Sequence, residues 1–336
     1  MAGGGKNSYG ITCRACRNLL RKEPLKVMDL FKTDGYKLKR GFTAEVTISE
    51  IKAKSILRKY KRIDSWFVSR CGMNLYRGCA HNCVYCDGRS EGYYVEGEFG
   101  KDVAVKINAI EILRRELDPA RKRSSFKPGF VMLGGGVGDG YQSIEKKYGL
   151  SRKTLKLIAE FNHPVHILTK STLVTRDLDL LKEINRKSRA IVSFSFSSAD
   201  DEISALFEPR APSPTERLET IAGLKKDGIS CGLFLLPVIP FITDTRALVD
   251  ETIRKAKNAG IDFIIFGGMT LKEGRQKKYF YHELEKSYPD LLAEYDHLYR
   301  GDKWGRASGR YYAAVERRIS DLVLSCISQR KIVLMV

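Results

Sequence analysis

Val165-His166-Ile167-Leu168-Thr169-Lys170-Ser171, followed by Arg176 to Ile184 and then by Ala190 to Phe196, is the stretch that decides the fold. The first run is short and apolar and stops at polar residues. The second reads as a helix, and the third alternates in the manner of a strand. A strand, a helix and a strand in this order make one step of a parallel sheet, because parallel neighbours need a crossover between them.

The same step recurs on both sides. Upstream, Phe67 to Tyr76 has strand-like composition, with Met73 and Leu75 set apart by Asn74. Lys101 to Leu117 carries Val105, Ile107, Ile110, Ile112 and Leu113 near helical spacing. Phe130 to Leu133 is apolar and ends in Gly134-Gly135-Gly136, and Arg152 to Phe161 reads as a helix with Ser151 as N-cap. Downstream, Pro214 to Lys226 is a helix with Ser213 as N-cap and Pro214 in the first turn. Ile229 to Ile239 is a strand with a proline-bearing exit, Thr245 to Asn258 a helix closed by Gly260, and Phe263 to Phe266 a strand ending at Gly267-Gly268. Six strands alternating with helices predict an α/β chain built as a partial (β/α)6 TIM-like barrel, two units short of a full one. Residues 1–60 read as an N-terminal extension and lead-in, 61–270 as the barrel core, and 271–336 as a C-terminal helical region. The longest of its helices, Ser308 to Gln329, sets Val315, Ile319, Leu322 and Val323 on one face.

The 336 residues are 43% hydrophobic and 29% charged, an ordinary globular balance. Lys+Arg 59 against Asp+Glu 40 gives a net charge of +19, which favours a polyanionic partner such as nucleic acid or a phosphorylated substrate, with a basic, well-solvated surface as the plainer reading that charge alone leaves open. Eight cysteines are too few for a disulfide scaffold at this length. The most apolar stretch, Cys231 to Ile242, is short and holds Pro237 and Pro240, and Met1 to Gly10 has no apolar core of a secretory signal. A cytoplasmic protein without a membrane span is the expectation.

The sharpest local feature is Arg77-Gly78-Cys79-Ala80-His81-Asn82-Cys83-Val84-Tyr85-Cys86, a C-x3-C-x2-C run with an aromatic before its last cysteine. Three thiolates so close together serve a metal far more often than they fill a core. They suit an iron–sulfur cluster and leave one iron without a protein ligand, an open position where chemistry takes place. A structural zinc site with His81 as fourth ligand is the competing reading.

This run, in the loop after the first strand of a (β/α)6 barrel, resembles the radical S-adenosylmethionine superfamily. Further motifs resemble its spore photoproduct lyase-related, DNA repair photolyase-like branch across roughly residues 50 to 270. They are Lys54-Ser55-Ile56-Leu57, Asn74-Leu75-Tyr76-Arg77-Gly78-Cys79, Asp139-Gly140-Tyr141-Gln142 with Glu145, Thr169-Lys170-Ser171 with Arg176-Asp177-Leu178, Glu208-Pro209-Arg210, and Pro237-Val238-Ile239-Pro240 with Asp244. The resemblance implies that Cys79, Cys83 and Cys86 hold a 4Fe–4S cluster whose fourth iron binds S-adenosyl-L-methionine. Reductive cleavage of that cofactor would leave a 5′-deoxyadenosyl radical, which takes a hydrogen atom from the substrate. A donor such as flavodoxin or ferredoxin would supply the electron. Each further candidate lies at the C-terminal end of an expected strand, where parallel barrels build their sites. Gly135, Gly136, Gly138 and Asp139 would border the methionine part, and Lys170 would neutralise its carboxylate. Ser195 would hydrogen-bond the carboxylate or ribose, Pro237 would shape an adenine pocket, and Tyr85 would lie against the adenine. Tyr85 and Lys170 are the catalytic candidates. The plainer readings are a solvated loop lysine at Lys170, a core hydroxyl at Ser195 and ordinary turn glycines.

Two positions depart from the lyase. Its hydrogen-donor cysteine, three residues before an aspartate, corresponds to Gly136 before Asp139, and its tyrosine after the last cluster cysteine corresponds to Asp87. The resemblance therefore implies a lyase-like or different radical reaction on damaged DNA or another nucleic acid. A protein or small-molecule substrate, or a non-enzymatic zinc or iron–sulfur nucleic-acid binder, are the alternatives. Arg114 to Lys127, Lys272 to Tyr281 and Arg300 to Arg318 mix basic residues with aromatics in a way that can track phosphates and stack bases. Cys13 and Cys16 form a lone C-x2-C pair. Cys231 and Cys326 are expected to be buried, and Cys71 or Cys231 could donate hydrogen only from the barrel mouth.

Overall fold

The computed structural model describes residues 46–64, 67, 69–120, 129–135, 137–327 and 333–335. Cys13, Cys16, Gly136 and the basic run 121–128 lie outside them, as do the side chains beyond residue 321. Residues Ala44–Val336 form one compact unit.

Six strands run parallel in chain order, as the alternation predicts: β3 (Ser69–Met73), β6 (Val131–Leu133), β7 (Val165–Thr169), β8 (Ala190–Phe196), β9 (Ser230–Val238) and β10 (Phe263–Gly268). β2 (Leu57–Asp64) pairs antiparallel with β3 at one edge, and β11 (Val333–Met335) pairs parallel with β10 at the other. A second sheet joins β1 (Thr47–Ile51), β5 (Asp102–Lys106) and β4 (Tyr76–Arg77). The crossover helices include α1 (Ala109–Leu117), α2 (Glu145–Tyr148), α3 (Leu150–Glu160), α4 (Leu178–Lys187), α5 (Asp201–Phe207), α6 (Pro214–Lys226) and α7 (Arg246–Ala259). After β10 come α8 (Arg275–Ser287), α9 (Leu292–Leu298) and α10 (Gly309–Ile327).

Alternation along the strands sorts the two faces of the sheet. Val165, Ile167, Val192 and Leu233 join Leu181, Ile184 and Ile253 in the main core between sheet and helices. The opposite face carries His166, whose Nδ1 lies 2.7 Å from the Phe67 carbonyl and whose Nε2 lies 2.8 Å from Ser193 Oγ. Phe67 stacks on Phe234 at 5.9 Å. These polar and aromatic side chains fill the inner face along β7, β8 and β9.

Three local readings are corrected. Lys101 to Leu117 is a strand and a helix, because Asp-Val-Ala-Val-Lys alternates and pairs with β1 before α1 begins. Ser151 lies inside α3 behind the N-cap Gly149, and its buried hydroxyl donates to the Gly140 carbonyl. The C-terminal region holds the strand β11 besides its helices. Ser213 caps α6 in a full capping box with Glu216, and Gly260 closes α7 at φ +92°, both as expected.

Candidate active site

The cysteine run follows β4 and is held at both ends. Gly78 turns the chain at φ +86°, where an added Cβ would lie 2.4 Å from the Asp102 carbonyl. Only glycine makes this turn without displacing β5. Gln142, fully buried, accepts from the Ala80 N–H at 2.8 Å and donates to the Gly78 carbonyl at 3.3 Å. At the far end Arg89 is buried. It donates to the carbonyls of Cys83 (3.1 Å), Phe99 (3.2 Å) and Asn82 (3.2 Å) and to Asn82 Oδ1 (2.6 Å). In the middle the Val84 N–H donates to the Phe207 carbonyl at 2.8 Å, tying the loop to the end of α5.

Cys79 and Cys83 are buried and Cys86 is half-buried. Burial pushes the Cys79 thiol up, and Asp139, Cys83 and Cys86 push it the same way. Burial also lifts the Cys83 thiol to about 12, against the pull of Lys170. Cys86 packs against both apolar clusters that hold the other two, the one with Cys83 and the one with Cys79. Among the described residues no three His, Cys, Asp or Glu side chains converge on a point that would hold a single ion. A four-iron cluster takes each thiolate at a different iron, so three thiols spaced along one loop fit it.

Asp139 joins the loop after β6 to the end of β7 and to the cysteine run. Its carboxylate accepts from the Tyr141 N–H (2.7 Å), the Lys170 N–H (2.8 Å) and Thr169 Oγ1 (2.8 Å), and lies 3.0 Å from His81 Nε2. Burial opposes its charge, yet the bond from His81 and the backbone donors hold its pKa below the usual carboxylate range. An ionised carboxylate only accepts, so His81 Nε2 carries the proton and the ring is engaged here. Asp139 therefore reaches the cysteine loop as a brace, by way of His81. Gly138, at φ +92°, would set an added Cβ at ordinary contact with the Gly78 carbonyl, 3.6 Å away, and Gly135 is half-buried.

Lys170 and Tyr85 meet at Glu208. The Tyr85 hydroxyl donates to Glu208 Oε1, and Lys170 Nζ lies 3.0 Å from the same oxygen and 5.7 Å from the Tyr85 ring centroid. Arg217, fully buried, donates to Glu208 Oε2, and Ser204 Oγ donates there at 3.3 Å. Burial works against the Glu208 charge, but Arg217 first and Lys170 second hold its carboxyl well below the usual range. Ser195 enters through its backbone: its carbonyl accepts from Lys170 Nζ at 3.3 Å and from Arg217 Nη1 at 2.6 Å. Pro237 is buried near the end of β9. The structure thus gathers Tyr85 and Lys170 on one carboxylate, sets the Ser195 carbonyl on the two cations that flank it, and ties Asp139 to the Lys170 N–H. Sequence reading places Glu208 in the Glu208-Pro209-Arg210 motif without giving it a role, and misses Arg217. Nothing in the sequence pairs these two charges, nine residues apart, until α5 and α6 fold back on each other.

Cys71 and Cys231 are fully buried among the apolar side chains between sheet and helices, so neither reaches the barrel mouth. In the basic and aromatic stretches, Tyr279 lies 3.5 Å from the Arg89 guanidinium and Phe280 is buried. Tyr311 donates to Asp244 at 2.6 Å, Tyr312 to the Met269 carbonyl, and Arg114 pairs with Glu160 at 2.6 Å. Trp304 is exposed. Among the described residues no helix is long and apolar enough to cross a membrane.

The model of the radical SAM superfamily matches residues 73–249. An uncharacterized protein of Mycobacterium tuberculosis is 31% identical over 282 residues, 83% of this chain and 80% of that one. Another, of Methanocaldococcus jannaschii, is 31% identical over 248 residues, 74% of this chain and 86% of that one. Spore photoproduct lyase complexed with dinucleoside spore photoproduct is a similar solved structure. It has TM-score 0.64 and 17% identity, and the match covers 87% of this chain and 83% of that one. At that identity the likeness speaks for the fold.

Proposed function

This chain belongs to the radical SAM superfamily and is a radical SAM enzyme, and we propose that it cleaves S-adenosylmethionine reductively at a 4Fe–4S cluster held by Cys79, Cys83 and Cys86. The observation that supports this most directly is the C-x3-C-x2-C loop at the strand ends, with Cys79 and Cys83 buried, Cys86 half-buried, and Tyr85 sharing Glu208 with Lys170. When bound, cluster and S-adenosylmethionine supply the one-electron cleavage of the C5′–S bond and the hydrogen abstraction that follows.

The protein's own part is electrostatic and steric. Arg217 and Lys170 flank the single carboxylate of Glu208, so the group keeps a net positive charge. Arg217 is the fully buried partner, and Lys170 keeps some exposure. Its ammonium is therefore the charge left to meet the cofactor carboxylate. Tyr85, tied to Glu208 through its hydroxyl, holds its ring in place beside Lys170. The turn at Gly138 lets backbone approach the methionine part. Burial of Cys79 and Cys83 keeps water from the reacting atoms.

For the substrate we propose a nucleic acid. The net charge of +19 supports it, as does the likeness to a lyase solved with a dinucleoside photoproduct. Gly136 and Asp87 stand where that lyase has its cysteine and tyrosine, so the reaction differs from the lyase's own. A protein or small-molecule substrate is the second reading, favoured by the inward packing of Phe280, Tyr311 and Tyr312. A small electron carrier of the flavodoxin or ferredoxin kind would be the reductant.

The test is anaerobic reconstitution with iron and sulfide, then dithionite and S-adenosylmethionine, with 5′-deoxyadenosine measured. Wild type forms it and Cys83→Ala does not. Equal product from both sinks the ligand assignment. Deuterated oligonucleotides passing label into 5′-deoxyadenosine support the nucleic-acid substrate, and label passing only from a protein or small molecule overturns it.

A further inference from the structure

The residue after the last cluster cysteine is gripped by the segment that leaves β10. Thr270 Oγ1 and Gln276 Nε2 both donate to Asp87 Oδ1, the second at 3.1 Å, and Lys272 Nζ lies 3.1 Å from Asp87 Oδ2. Gln276 is fully buried. Its amide also donates to the Tyr85 carbonyl at 3.0 Å and the Thr270 carbonyl at 3.0 Å, and its Oε1 accepts from the Lys272 N–H at 3.0 Å. Around it, the Arg275 N–H donates to Glu91 Oε1 at 2.7 Å, and Tyr279 lies under Arg89. One side chain thus fixes the backbone on the near side of Cys86, the carboxylate on its far side, and the lysine that faces that carboxylate.

We propose that the Asp87–Lys272 pair sets the reduction potential of the cluster and that Gln276 is the positioning residue that holds the pair beside Cys86. This rests on the cluster assignment above. A negative charge next to a cluster opposes the incoming electron, and a positive one favours it. Asp87 is one covalent link from a ligand, and Lys272 offsets its charge. Both side chains keep partial contact with water, at 41% and 31% exposure, which screens the effect to a modest size. Gln276 touches no thiol, so its influence runs through the geometry of the pair.

The experiment compares wild type, Asp87→Asn, Lys272→Met and the double variant, each reconstituted anaerobically and assayed first for iron and sulfide. EPR-monitored redox titration then gives the midpoints. Asp87→Asn leaves Lys272 uncompensated and raises the midpoint. Lys272→Met leaves Asp87 uncompensated and lowers it. Each shift changes the oxidised-to-reduced ratio about threefold to tenfold, or about 30 to 60 mV for one electron. The double variant returns to the wild-type midpoint, added salt shrinks both single shifts, and in Gln276→Leu the effect of Asp87→Asn falls by half or more. A wild type that takes up no four-iron cluster sinks the cluster assignment. Loaded variants that titrate with wild type overturn the tuning role and leave the cluster standing. A variant that loses the cluster while wild type keeps it overturns tuning in favour of a purely structural grip.

Discussion

Replacing Arg217 by Met tests whether the charge group behind the site holds together as described. Arg217 is fully buried and donates to Glu208 Oε2, to the Ser195 carbonyl (2.6 Å), to the Pro212 carbonyl (2.9 Å) and to Ser204 Oγ (3.2 Å). Methionine fills much of the volume and donates nothing. The Ser195 carbonyl keeps Lys170, but the Pro212 carbonyl loses its donor, at a cost of about 1–3 kcal/mol. Glu208 keeps Lys170, Tyr85 and Ser204 and loses its fully buried cation. Breaking a buried pair from one side costs about 3–5 kcal/mol in all. The unfolding entropy is about 2.1 cal/mol/K per residue, so for the roughly 290 residues of Ala44–Val336 the loss lowers Tm by about 5–8 °C. Differential scanning calorimetry on the cluster-free protein measures it without interference from metal. The double variant Arg217→Met/Glu208→Leu removes the stranded carboxylate and should recover half the loss or more. A single variant within about 1 °C of wild type would refute the reasoning, as would a double variant that is no better than the single.

Glu208→Gln carries a pH signature. Arg217 and Lys170 hold the folded-state pKa of Glu208 below its unfolded value of about 4.3, so its stabilisation is complete above that value and is lost as pH falls through and below it. The Tm gap between wild type and Glu208→Gln should narrow as pH is lowered from 7 to 3, and a constant gap would contradict the assignment. Gly100→Ala tests the cluster loop from outside. Its Cβ would fall 1.8 Å from Asn82 Oδ1, in backbone at φ +93°. A loss of about 1–3 kcal/mol and a drop in iron retained after desalting are expected, the second because Asn82 Oδ1 is a partner of Arg89. Unchanged iron retention would mean that the Arg89 contact does not set cluster binding.

The parallel core was legible because each strand there is an apolar run bounded by turn residues. Ala190–Phe196 and Pro214–Lys226 fall where alternation and the Ser213-Pro214 cap put them. What escaped reading was short or paired at a distance. Asp102–Lys106 abuts α1 so closely that one window merges them. The sequence of β2, Leu-Arg-Lys-Tyr-Lys-Arg-Ile-Asp, is too polar to announce a strand and survives as one at a solvated edge. At the site, the cysteines were visible because ligands of one loop are close in sequence. The roles of Glu208, Arg217 and Gln276 were not, although Glu208 stands in a quoted motif, because each finds its partners only once the chain has folded back.

The cysteine loop is tied down by Gln142 at its entry, by His81 with Asp139 in the middle, and by Arg89 and Gln276 at its exit. Gln142, Asp139 and Gln276 come from segments far from the loop in sequence. The loop's shape is therefore a property of the whole barrel and not of the ten residues that write the motif.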